Sequence, residues 1–269
     1  LIVARPMNTL ITLILVVFSG IAFSQERQQL SVAKVKTKTE FLYQFKKNGR
    51  MEEKGRFLSK ITYNKKGEAV EDSIVWTEGM WQKGKTTYNE QGEYLTNLNI
   101  VKKEDGRIDT SFTTYYYQGD SVKKTFDRYG MLKSHEVKVN DTLKKFYDGF
   151  GNLIYMATEK ETLVNQDDIY KRRTSITSSP EGLAYNYTIY YLDKEGKVVK
   201  KEIDNNRIEK YIYDAKVRRI EAAEFTMQNE VAGKTTYNYN DKDIPTEIIS
   251  YDEKGKPIDK IKCFYEYFE

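Results

Sequence analysis

Three consecutive tyrosines, Tyr115, Tyr116 and Tyr117, stand in a β-rich run of the chain. Side chains alternate between the two faces of a strand, so such a run must set rings on both. Rings left open on one face stack on the flat faces of sugars or on a partner's apolar surface, while rings on the other face pack. Tyr190-Tyr191 has the same property, and Trp76 and Trp81 flank a turn in a comparable way. The alternation is read with Tyr115 and Tyr117 outward and Phe112 and Tyr116 packed. Tyr115, Tyr117, Trp76 and Trp81 are therefore the candidate contacts for a glycan or an envelope protein. A cross-strand aromatic ladder that stiffens a thin sheet is the structural alternative.

Other chemistries find less support. His135 is the single histidine, lies in a strand pattern, and has no nucleophile elbow near it in sequence. One His and one Cys cannot supply the usual zinc ligand set. Cys263 has no partner for an intrachain disulfide and reads as a small buried hydrophobe. Asp167-Asp168 and the Asp241, Asp243 pair lack the glycine a calcium loop requires, and Lys242 opposes the charge. No cofactor and no metal are implied. Carboxylates are abundant enough that a glycosidase-like pair stays open as the alternative to a non-catalytic binder.

The elements that would position these side chains are repeated turns. Tyr147-Asp148-Gly149-Phe150-Gly151 closes a strand with an aromatic, opens a turn with Asp and leaves it through Gly. Asp148 can accept a hydrogen bond from the backbone two residues on, and Gly151 can take positive φ without a Cβ clash. Copies begin at Tyr63 and end at Gly67, run from Tyr88 to Gly92, from Phe126 to Gly130, and from Tyr251 with Asp252 to Gly255. Leu192 to Gly196 replaces the aromatic, and the copies at Tyr213 and Tyr239 lose the glycine. Twenty-one residues separate Phe126 from Tyr147 and Leu192 from Tyr213, and twenty-five separate Tyr63 from Tyr88. Between them, Asn48-Gly49, Asp105-Gly106, Gly119-Asp120, Asn140-Asp141 and Asn205-Asn206 are expected to form two-residue hairpin turns. Runs such as Gly233 to Tyr239 alternate with period two, and sixteen to eighteen strands fit the spacing.

The Tyr147-Asp148-x-x-Gly151-Asn152-Leu153 and Tyr251-Asp252-x-x-Gly255-Lys256 segments resemble the YD, or RHS, repeats of exported bacterial proteins, over roughly residues 60 to 260. The resemblance implies a long β-sheet wound into a curved strip or shell, used at cell surfaces, in carbohydrate binding or in toxin encapsulation. The repeats show no toxin module or the segment that precedes one, so the toxin role is not carried over. A looser similarity to membrane-occupation-type repeats shows at Gly79-Met80-Trp81-Gln82-Lys83-Gly84.

Composition sets the outer limits. The chain has 269 residues, a formal net charge of +4 and 31% charged residues spread evenly, so no basic stripe suited to nucleic acid is present. Mean hydropathy is low, at −0.71, and 22 Tyr with 12 Phe put amphipathic rings where aliphatics would otherwise build the interior. The apolar run from Asn8 to Ser24, after Arg5 and ending Ala22-Phe23-Ser24, reads as a signal peptide with residues 1–6 read through from upstream of Met7. Residues 25–33 are expected to be a loosely tethered leader and 34–269 a β-hairpin repeat domain, with an irregular break at 159–168. An exported meander could also be an outer-membrane barrel. Lys123-Lys124, Lys144-Lys145 and Lys200-Lys201 argue against it, since each pair puts an ammonium on both faces of its strand and a lipid-facing lysine near midplane costs about 2–4 kcal/mol. The expected fold is all-β: an antiparallel up-and-down meander in a twisted or spiral repeat sheet. The expected function is an exported, non-catalytic scaffold that binds a glycan or an envelope partner, with no transmembrane segment once the signal is cleaved. A purely structural envelope role is the third reading.

Overall fold

A computed structural model of the protein describes residues 27–269 apart from 78, 167 and 205. The signal-peptide segment, Asp167 and Asn205 therefore lie outside the described residues. Eighteen strands follow in order. The first nine are β1 (Val35–Gln44), β2 (Arg56–Tyr63), β3 (Ala69–Val75), β4 (Trp81–Tyr88), β5 (Tyr94–Lys102), β6 (Ile108–Gln118), β7 (Val122–Phe126), β8 (Leu132–Lys138) and β9 (Leu143–Asp148). The second nine are β10 (Leu153–Gln166), β11 (Ile169–Ser178), β12 (Ala184–Leu192), β13 (Val198–Ile203), β14 (Arg207–Tyr213), β15 (Arg219–Thr226), β16 (Val231–Tyr239), β17 (Pro245–Tyr251) and β18 (Pro257–Tyr267).

Each strand pairs antiparallel with the next, as the meander reading expects, from Thr37↔Thr62 between β1 and β2 to Ile248↔Ile261 between β17 and β18. The spiral is corrected. β1 also pairs with β18, in a register running from Val35↔Tyr267 to Gln44↔Asp259, and the sheet closes into an eighteen-stranded barrel. Closure satisfies the N–H and C=O groups that two open edges would leave bare. Among the described residues the buried apolar cluster is small, made of Leu30, Ala33, Val35, Tyr63 and Ile244.

One turn recurs around both ends. The Asp127, Asp148, Asp214 and Asp252 carboxylates each accept from the N–H two residues on and four residues on, at 2.8–3.0 Å. The fourth position then takes positive φ, +89° at Gly151 and +73° at Gly255. Where glycine is missing, Val217 and Asp243 still adopt +67° and +60°. The separate two-residue turns expected at Asn48-Gly49 and Asp105-Gly106 belong to this same class. Gly49 donates to Lys46 O and Gly106 to Lys103 O, while Lys46 and Lys103 donate to Arg50 O and Arg107 O. At Gly119-Asp120 the flanking pair is Gln118↔Val122, so three residues cross, and Val139 N–H donates to Leu143 O around Asn140-Asp141.

Tyrosines near strand ends also latch neighbours together. The hydroxyls of Tyr88, Tyr213, Tyr239 and Tyr265 donate to the carbonyls of Ala69, Val198, Arg219 and Pro245, at 2.6–2.9 Å. Each carbonyl belongs to the first residue of a strand leaving an earlier turn at the same rim.

The expected leader is folded. Residues 27–32 form a helical turn that seats Leu30 and Ala33 against Val35, Tyr63 and Ile244, with Ile61, Ala69, Tyr265 and Tyr267 around them. Arg27 pairs with Glu68, which fastens the turn to the β2–β3 connection. The irregular stretch at 159–168 is a hairpin, with β10 running through to Gln166 and pairing with β11.

Candidate ligand-binding face

The cross-strand registers assign every side chain in the wall to one of two faces. On one, Asp72, Gly84, Asn99 and Ser111 are successive neighbours across β3, β4, β5 and β6. A second row, Thr86, Asn97 and Thr113, runs beside it. The same face continues to Tyr88, Tyr115, Tyr117 and Lys123. The alternation that does this is plain in β6, where Ser111, Thr113, Tyr115 and Tyr117 stand two apart.

The rings form a continuous surface. Tyr88 and Tyr94 centroids lie 5.3 Å apart at 34°, and Tyr94 and Tyr115 lie 5.7 Å apart at 38°. The Lys123 ammonium sits 5.7, 4.8 and 6.0 Å from the ring centres of Tyr94, Tyr115 and Tyr117. That is close enough for cation–π attraction to order the group. Tyr94 is exposed, 43% of its surface open, whereas Tyr115 and Tyr117 are half-buried. Burial raises the Tyr115 hydroxyl pKa and pushes that of Tyr117 up to about 12, so these two remain neutral donors at ordinary pH.

Polar groups flank the rings. Gly84 makes room for Asp72, because a Cβ at position 84 would meet the Asp72 Oδ1 at 2.0 Å. Burial lifts the Asp72 pKa above its ordinary value, partly offset by a hydrogen bond from Gln82 at 3.4 Å. The Asn97 amide donates to the Thr86 hydroxyl at 3.0 Å. Asn99 Oδ1 is buried with no protein partner, an acceptor left for a ligand hydroxyl or a water. A shallow cleft of ≈ 600 Å³ opens at the rim beside Tyr88, lined by Asn64 to Lys66 and by Asn89 and Glu90 among others. Rings beside fixed amide and carboxyl groups can hold a sugar by stacking and by hydroxyl hydrogen bonds.

The remaining candidates are placed elsewhere. Tyr116, expected to pack, is 56% exposed and lies on the opposite face, so the parity is inverted: the concentration of rings on β4–β7 covers Tyr115 and Tyr117 instead. Trp76 and Trp81 lie at the β3–β4 connection, at the other end of the barrel from Tyr117, and the Lys83 ammonium covers the Trp81 ring at 5.4 Å. They do not join the tyrosine surface. His135 stacks on Tyr147 at 4.6 Å and 6°. Cys263 is buried, with its Sγ 3.8 Å from Glu40 Oε1, and burial pushes its thiol up to about 11, away from thiolate chemistry. Asp243 is neutralised by Lys216 at 3.1 Å and Arg218 at 2.7 Å. Among the described residues no cluster of metal-ligating groups forms.

Sequence reasoning missed Tyr94, Asn97, Asn99 and Asp72. Their signal is the two-residue alternation of amides in Asn97-Leu98-Asn99, in step with that of β6.

No family model and no curated protein matches the sequence. Among solved structures the chain is similar to a porin-like protein from Bacteroides uniformis ATCC 8492, at 12% identity over 85% of this chain and 97% of that one, TM-score 0.41. A porin-like protein from Bacteroides vulgatus ATCC 8482 aligns at 10% identity over 87% and 99%, TM-score 0.30. A TcdB2–TccC3–Cdc42 complex aligns at 12% identity over 82% of this chain and 14% of that one, TM-score 0.29.

Proposed function

We propose that the protein is an exported, non-catalytic barrel scaffold that binds glycan along the tyrosine and amide face of β3–β7. The observation that carries this reading is the contiguous Tyr88, Tyr94 and Tyr115 surface, with Lys123 above it and the unpartnered Asn99 Oδ1 further along the same face. The charge of the wall supports work in water. On the face carrying Tyr115, Lys144 pairs with Glu136 at 2.9 Å and Lys123 caps the rings. On the other face Lys200 pairs with Glu202 at 2.7 Å, and Lys124 stands across from His135. Whichever face is turned outward presents ammonium groups on its strands, which lipid would penalise.

A carboxylate hydrolase is the weaker reading. Glycosidases need two carboxyl groups facing one bond. The residues directly across from Asp72 are Ile61 and Gly84, and neither supplies one.

A glycan array probed with the full chain tests the proposal. Binding to one saccharide class, weakened by Tyr115→Ala and weakened by Tyr94→Ala at unchanged melting temperature, is the expected result. No binding across the array, or binding indifferent to both variants, overturns it. Turnover of a bound saccharide would replace the non-catalytic reading with the enzymatic one.

A further inference from the structure

Closure removes the two end-strand edges of the wall, but the β10–β11 hairpin keeps an open one. β9 pairs with β10 only from Leu153↔Tyr147 to Thr158↔Leu143, with a last bond from Glu159 N–H to Thr142 O at 2.8 Å. β10 then continues to Gln166, paired on its other side with β11 as far as Leu163 and again at Gln166 across a bulge. Among the described residues, Lys160–Gln166 has no strand on the β9 side. Backbone direction alternates, so the N–H groups of Glu161 and Leu163 point the same way as that of Glu159, into the open edge.

We propose that this edge pairs, antiparallel and about a two-fold axis, with the same edge of a second copy of this chain. A two-fold contact must be self-complementary, and this one is. Centred on Thr162, Glu161 lies opposite Leu163 and Lys160 opposite Val164. Centred on Leu163, that residue meets itself and Thr162 meets Val164. Neither register sets like charges across from one another. Leu163 and Val164 are both exposed, at 64% and 36%, and pairing covers them. Glu161, the nearest acid, is already held by Arg173 at 2.7 Å and by Lys171 at 3.7 Å within its own hairpin. The edge is also rigid before it meets a partner, since Glu161↔Arg173, Thr162↔Arg172 and Leu163↔Lys171 fix its register. Strand addition of this kind draws on main-chain hydrogen bonds. The contact is small, so association is concentration-dependent and weaker than that of an obligate dimer. The inference stands independently of glycan binding, which occupies β3–β7.

Sedimentation velocity of the full chain over a range of concentrations tests it. The wild type should shift from monomer to a single dimer species as concentration rises. Leu163→Pro removes one edge N–H without touching the bonds to β11, because that N–H faces away from β11, and should abolish the dimer while circular dichroism stays unchanged. Leu163→Glu sets a carboxylate opposite a carboxylate in either register, and should abolish the dimer at low salt with partial return at high salt. A monomer at every concentration overturns the proposal. So does a dimer unaffected by both variants, and so does growth beyond two copies, which a closed two-fold contact forbids.

Discussion

The seam of the barrel and the β4–β7 arc are built from the same turn and solve different problems. Along the seam, β18, β1 and β2 meet the helical turn at 27–32, and Leu30, Val35, Tyr63, Ile244 and Cys263 are buried together with Glu40 and Ser59. Along β4–β7, Thr86 is buried, but the rings on the same face are half-buried or open. The wall is one ladder throughout, so backbone hydrogen bonds do not account for the contrast. Side-chain cover does: the seam has a second layer resting on it, and the arc has none. The seam thus has a packed layer over its closing strands, while the arc leaves its rings and amides without one.

The sharpest way to break the comparison is at Glu40. It is buried, accepts from Ser59 at 2.6 Å and pairs with Lys38 at 2.8 Å. Burial alone would raise its pKa, but the Lys38 ammonium and its hydrogen bonds more than offset this, so the folded value lies below the ordinary 4.5. Its contribution to stability is therefore present above that value and is lost as pH falls through the lowered one. Lys38→Met strands the carboxylate and is expected to cost about 3–5 kcal/mol near neutral pH. The sign of the pH response should also reverse, with the gap from wild type narrowing in acid as Glu40 takes a proton. Urea titrations at neutral and acidic pH measure both, and a gap that widens in acid would refute the account.

Next in size is the cover itself. Leu30→Ala should cost about 2–5 kcal/mol by chemical denaturation, as a buried large-to-small change. Tyr94→Ala in the arc, already 43% exposed, should cost well under that. Equal losses at the two sites would mean that the helical turn is not a structural layer.

Turns then separate local strain from cover. Gly151 has φ +89° with nothing within 4 Å of an added Cβ, so Gly151→Val carries backbone strain alone and should cost about 1–2 kcal/mol. Val217 already bears that strain at φ +67°, and Val217→Gly should stabilise by about 1 kcal/mol. Melting and denaturant midpoints that move the same way for both variants would show the left-handed position is not what sets these turns.

Much of the architecture is legible in the residues, because a turn is local chemistry. Asp148 and its carboxylate bonds, Gly151 and its positive φ, and the alternation in Gly233 to Tyr239 need no distant partner. Closure is not local. It depends on β1 meeting β18 more than two hundred residues away, and no motif in either strand announces that pairing. The helical turn at 27–32 was illegible for a related reason: six residues are too few for a helical period, and Leu30 is held by tertiary cover. At the candidate site the rings of Tyr115 and Tyr117 could be read, but their parity could not. Which face of β6 is open depends on the neighbouring rings of Tyr88 and Tyr94, and those are placed by the closed sheet.

The latches from Tyr88, Tyr213, Tyr239 and Tyr265 each join a hairpin to an earlier neighbour at the same rim and to nothing further round. Circumference is consequently a matter of gene length. A duplicated hairpin would bring its own tyrosine, find its own carbonyl and widen the ring by two strands, leaving every other latch as it was. Such a wall can be resized by copying a unit, provided the first and last strands can still find each other.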